Sequence, residues 1–193
     1  MLTTNDVAKL DEAAGFPIAL YETVTDLGAY LADHELGLDY AGLIAQVASP
    51  DVKAILAGLQ GEGAIAPAGY EEALHTHRPA LRQSYQRYFR EHDLAALVFP
   101  TTPLPAAKIG EDVTTPLNGE QVPTFLTFIR NTSPGSVAGL PGLSLPAGRT
   151  RAGLPVGIEI DGPEGTDQTV LAIGLGLELL LPRVEGPDLA RQP

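Results

Sequence analysis

Prolines and glycines divide the second half of this chain into short extended pieces, and that division limits its fold more than any other feature. Leu94 to Phe99 is a short apolar run stopped by Pro100, the pattern of a buried strand in a layered α/β sheet. Gly142 to Pro146 and Val156 to Asp161 read as two further strands, joined through Gly148 to Pro155 in a hairpin-like connection. Asp167 to Leu181 carries helical periodicity and reads as a closing helix. Pro100 to Val122 is rich in proline, threonine, glycine and acidic residues, so it reads as a long surface loop with a turn at Asn118-Gly119.

Before Asp93 the pattern is helical. Thr4 can cap a turn running to Gly15, and Val24, Leu27, Tyr30 and Leu31 recur at helical spacing after Thr23. Tyr21-Glu22 offers a helix start. Ser49-Pro50-Asp51 sets a capping serine before a first-turn proline and an acidic residue, and Val52, Ile55, Leu56 and Leu59 follow as one apolar stripe. A long helical pattern from Ala68 to His92 contains Pro79, which is expected to kink or break it. The chain therefore reads as a single segment, 1–193, mainly helical over 1–92 and α/β over 93–193.

With 193 residues, 44% of them hydrophobic, there is enough chain for one core and too little for a complete large hydrolase. Asp and Glu outnumber Lys and Arg by 24 to 12, a formal charge of −12 that argues against nucleic acid and anionic membranes as partners. Cysteine is absent, which removes disulfides and thiolate chemistry. Met1 to Asp6 has neither the basic nor the apolar region of a secretory signal. The apolar stretch from Val170 to Leu181 falls short of the ~20 residues that span a bilayer, so a cytoplasmic location is expected.

Several runs in the second half occur in a telling order. They are Leu97-Val98-Phe99-Pro100-Thr101-Thr102-Pro103, then Asn131, then Gly139 to Gly148 (GLPGLSLPAG), then Gly153 to Ile160 (GLPVGIEI). In this order and spacing they resemble the C-terminal portion of amidase-signature hydrolases. The wording from Pro123 to Thr132 (PTFLTFIRNT) is most similar to the branch that hydrolyses mandelamide and indoleacetamide. The resemblance implies part of a fold in which a mixed β-sheet is flanked by helices, with no metal or organic cofactor. It also implies hydrolysis of a small, aromatic amide to its acid and ammonia.

In that family the chemistry comes from a nucleophilic serine, a second serine and a lysine, in a signature upstream of the region matched here. An amide needs such an activated nucleophile, a proton relay and N–H donors for the oxyanion. None of Lys9, Lys53 and Lys108 precedes a glycine- and serine-rich stretch, so the chain is expected to be inactive alone. Thr132 to Ser136 is the nearest lookalike, but Pro134 removes a backbone donor and the family has a structural turn there. No catalytic residue is assigned.

By the same resemblance Phe125, Phe128, Asn131 and Thr132 pass near the acyl pocket and are the candidate substrate-binding residues. The plainer reading makes the phenylalanines core aromatics and gives Asn131 and Thr132 loop-positioning bonds. His75-Thr76-His77, with Glu71 and Glu72 nearby, lacks the helical spacing of a metal site and reads as solvated. The expected partners are a small amide, once the missing part is supplied, and either a complementing amidase half or a second copy. The competing reading is a non-catalytic scaffold or assembly protein derived from the same fold.

Overall fold

A computed structural model describes residues 4–182 and divides into two compact units, one up to Ser84 and one from Tyr85 onward. The first is helical and the second combines helices with two small sheets, the α/β organisation expected.

In the first unit α1 runs from Thr4 to Asp33 without interruption, although a break was expected after Gly15 and a new start near Tyr21. Pro17 sits inside it, at the cost of one backbone hydrogen bond. Packing offsets that cost, because Ala14 and Leu31 are buried and α1 lies against the segments that follow Pro67. Tyr21 and Glu22 are interior residues of α1 with a specific role. The Tyr70 hydroxyl donates to Glu22 Oε1 at 2.8 Å, and the Tyr21 and Tyr70 rings stack with centroids 4.1 Å apart. That hydrogen bond is the main reason the Tyr70 phenol is held above its ordinary pKa, with burial and nearby acids adding to it.

Helix α2 (Tyr40–Ala45) is capped by Asp39, whose carboxylate accepts from the Gly42 N–H at 2.7 Å. Helix α3 (Pro50–Gly58) starts where Ser49-Pro50 places it, but Ser49 makes no side-chain capping bond, so the proline and the acidic first turn define the start. Its stripe is only partly used: Leu59 is buried, whereas Val52 and Ile55 are exposed.

The long pattern containing Pro79 is neither broken nor regular. Helix α4 (Pro67–Glu72) widens into a π-helical segment, Ala73–His77, before α5 (Arg78–Glu91) continues. A wider turn just before a proline accommodates a ring that would otherwise collide with the preceding carbonyls. Both histidines of this stretch lie within the π segment. His75 pairs with Glu71 at 3.2 Å and His77 with Glu72 at 3.6 Å.

Helix α5 ends in the second unit, with Phe89 buried. Strand β1 (Leu97–Pro100) follows, and then, within the stretch expected to be only loop, a hairpin of β2 (Thr114–Leu117) and β3 (Glu120–Pro123). Its turn is Asn118-Gly119, both at positive φ (53° and 89°), the geometry that matches a tight hairpin to strand twist. The loop reading missed the hairpin because Thr114-Thr115-Pro116 carries too little apolar alternation to announce a strand.

Helix α6 (Thr124–Ile129) and helix α7 (Ser133–Ala138) come next, the latter where the resemblance implied a turn. Pro134 lies in the first turn of α7, where a missing N–H costs nothing. Strands β4 (Gly142–Arg149) and β5 (Pro155–Asp161) form an antiparallel pair with a bulge between Pro146 and Gly148. The sheet order is β1-β5-β4, antiparallel throughout, and helix α8 (Asp167–Glu178) closes the unit.

Cross-strand pairing sorts the sheet into two faces. Leu143 and Ile160 share the face that α8 covers through Val170 and Gly174. A methyl group at Gly174 would collide with Leu143, so the glycine sets the depth at which helix and sheet meet. Ser144, Gly157, Glu159 and Asp161 belong to the opposite, polar face. No described helix is long and apolar enough to cross a membrane.

Candidate functional site

Pro100 ends β1, and the backbone beyond it is held by two bonds. Thr101 N–H donates to the Gly157 carbonyl at 3.1 Å, extending the β1–β5 ladder, and the Thr102 hydroxyl donates to the Leu104 carbonyl at 2.6 Å. The segment Thr102 to Ala106 then faces the end of the sheet across a cavity of about 580 Å³. Val98 and Phe99 from β1, Val156 and Ile158 from β5, and Phe128 from α6 give this cavity a mainly apolar wall. Its volume lies in the range that takes a small organic ligand, roughly 300–1,000 Å³.

Phe128 lines the cavity, whereas Phe125, one helical turn earlier, does not and is 57% exposed. Asn131 donates from Nδ2 to the carbonyl of Pro100 at 2.8 Å, so its amide tethers the α6–α7 connection to the last residue of β1. The Thr132 hydroxyl donates to the Ile129 carbonyl at 3.3 Å and closes the end of α6. The cavity therefore brings together Phe128 and, through a backbone tether, Asn131. Phe125 and Thr132 stand apart from it.

Two polar features escaped the sequence reading. The hydroxyls of Thr101 and Ser144 are 2.6 Å apart, lying over Gly157, where a methyl group would meet both oxygens. On the same sheet face Asp161 is 5% exposed, and its carboxyl is pushed up to about 6, first by burial and then by the negative charge of Glu159. The Oε2 atom of Glu159 is enclosed without a hydrogen-bond partner among the described residues. Gly135 of α7 comes so close to Asp161 that an added methyl group would collide with the carboxylate. The available signal was Glu159-Ile160-Asp161: two acids two positions apart in a strand must share a face.

The arrangement can hold an apolar body at one end of the sheet, beside the single hydroxyl in the lining, that of Thr102. Among the residues that line the cavity there is no lysine, histidine or serine. Ser136 is exposed on α7, where its N–H is used in the helix bond to Thr132. Among the described residues no group of three or more His, Asp or Glu converges as a metal site.

Comparison with known proteins gives these positions a context. The family model described as Amidase matches residues 3–171. Over 180 residues the chain is 44% identical to an indoleacetamide hydrolase of Agrobacterium vitis, covering 93% of this chain and 38% of that protein. A mandelamide hydrolase of Pseudomonas putida is 36% identical over 200 residues, covering 98% of this chain and 38% of its own length. A crystal structure of an amidase superposes with a TM-score of 0.68 at 29% identity, over 93% of this chain and 36% of the other. The chain thus spans between a third and two fifths of the length of these relatives and corresponds to their C-terminal portion.

Proposed function

The chain belongs to the amidase family, and from that premise we propose that it supplies the C-terminal part of a hydrolase that converts a small aromatic primary amide to its acid and ammonia. The observation that carries this reading is the 44% identity, over 93% of the chain, to a protein named for hydrolysis of indoleacetamide. A mainly apolar cavity of about 580 Å³ with Phe128 in its wall supports the aromatic part of it.

Amide cleavage requires a nucleophile, a group that moves its proton to the leaving nitrogen, and donors for the oxyanion. The cavity wall supplies apolar surface and positioning but no titratable side chain. In this reading the reacting groups come from the remainder of an amidase chain, and this segment shapes the acyl side of the pocket. Its candidate substrate contact is Phe128. Asn131 acts by holding the neighbouring backbone, while Phe125 and Thr132 lie outside the cavity lining.

The test is ammonia release from indole-3-acetamide, mandelamide and phenylacetamide by the purified chain, alone and together with the N-terminal remainder of a related amidase. Activity in the combination and silence in the isolated chain is the expected result. Turnover by the isolated chain overturns the division of labour. Silence of a combination that has demonstrably assembled favours the non-catalytic scaffold.

A further inference from the structure

Helix α8 presents two apolar faces. Val170 (2% exposed) and Gly174 form the inner one, seated on Leu143 of β4. Leu171 and Leu175 lie on the outer one, 55% and 67% exposed, and Leu179, the capping residue just past the helix end, continues their four-residue spacing at 87% exposed. Residues four apart on a helix lie nearly one above another, so these side chains form a solvent-exposed stripe beside the face that packs on the sheet. Scattered exposed leucines are ordinary, but a stripe at helical spacing on a helix already packed along a neighbouring face has the form of an interface.

We propose that this stripe is the seam against which the N-terminal part of an amidase chain packs, whether that part is joined to this chain or carried on a separate one. The inference rests on the reading of the chain as part of an amide hydrolase, and it names the surface that completes it. Two observations select this occupant. The relatives carry more than half of their length outside the matched region, and that length has to pack against surfaces the matched region leaves open. A second copy of this chain is disfavoured by charge, since pairing would bring together two bodies of formal charge −12.

The decisive experiment co-expresses the tagged full chain with the N-terminal remainder of the indoleacetamide hydrolase of Agrobacterium vitis and measures how much of that remainder co-purifies. The double substitution Leu175→Glu with Leu179→Glu should lower the recovery tenfold or more. Ile109→Glu, an equally drastic change at a fully exposed residue far along the chain from α8, should leave it unchanged. Because the substituted leucines are exposed, both variants should keep the melting temperature of the isolated chain. A single-chain fusion to the same remainder gives a second measurement, in which the leucine substitutions should lower the melting temperature by several degrees while Ile109→Glu does not.

Failure of the remainder to co-purify, or equal recovery with the double variant, overturns the seam. So does a chain that sediments alone as a dimer and becomes monomeric on Leu175→Glu, which would assign the stripe to self-association. Ammonia release separates the two readings. A leucine-dependent complex without turnover keeps the seam and removes the activity, whereas turnover indifferent to the leucines does the reverse.

Discussion

The side-chain amide of Asn131 donates to the Pro100 carbonyl at 2.8 Å, so the connection between α6 and α7 hangs from the end of the strand that borders the cavity. A substitution that keeps the size but loses the donor isolates this bond. Asn131→Asp places an acceptor opposite an acceptor, and Asn131→Ala removes the group altogether. Each should lower stability, by about 1 kcal/mol for alanine and somewhat more for aspartate at neutral pH, read from urea unfolding at constant slope. Wild-type stability in both variants would reduce the bond to a surface ornament.

Gly135 and Asp161 approach so closely that no side chain fits between them. Gly135→Ala should push α7 away from β5 and cost about 1–3 kcal/mol, the usual range for overpacking a filled site. This outweighs the roughly 1 kcal/mol that alanine normally gains over glycine in a helix. Thermal unfolding of the variant measures the balance, and an increase in melting temperature would show that the carboxylate yields freely.

These two relationships also show where the sequence was readable and where it was not. Strands β4 and β5, the turn at Asn118-Gly119 and the start of α3 were legible because local chemistry decides them: alternation, positive φ and a first-turn proline. The uninterrupted α1 was not, since burial of Ala14 and Leu31 overrides the weak helix signals at Gly15 and Pro17. For the site, the family motifs pointed to the stretch around Phe128 and Asn131, but only tertiary geometry separates a cavity wall from the exposed Phe125. The Thr101–Ser144 pair joins residues 43 positions apart and left no local trace.

The carboxyl of Asp161 gives stability a defined dependence on pH. Its folded-state pKa, about 6, lies above the ordinary value of 3.8, so the folded chain holds a proton there that the unfolded chain has released. The benefit is fully present below about pH 4 and is lost as pH rises through 6, by no more than about 3 kcal/mol. Asp161→Asn should therefore flatten the stability profile between pH 4 and 7. Glu159→Gln should move its midpoint downward only part of the way, because burial is the larger cause and the neighbouring charge the smaller. A profile unchanged by Asp161→Asn would place the titrating group elsewhere.

Phe128 and Phe125 make a matched pair for testing the pocket, because one α-helix carries both and only the first lines the cavity. In the complemented enzyme Phe128→Ala should enlarge the apolar wall and remove ring contacts with an aromatic acyl group. Loss of one aromatic contact of this kind corresponds to about 1–2 kcal/mol, or roughly tenfold in kcat/KM. The effect should fall on indole-3-acetamide and mandelamide while acetamide, which has no ring to place, changes little. Phe125→Ala should leave the preference between large and small amides unaltered, whatever it does to assembly. The ratio of kcat/KM values for aromatic and small amides, measured on the same preparation, cancels differences in the assembled fraction. A preference that follows Phe125 and ignores Phe128 would move the acyl site away from this cavity.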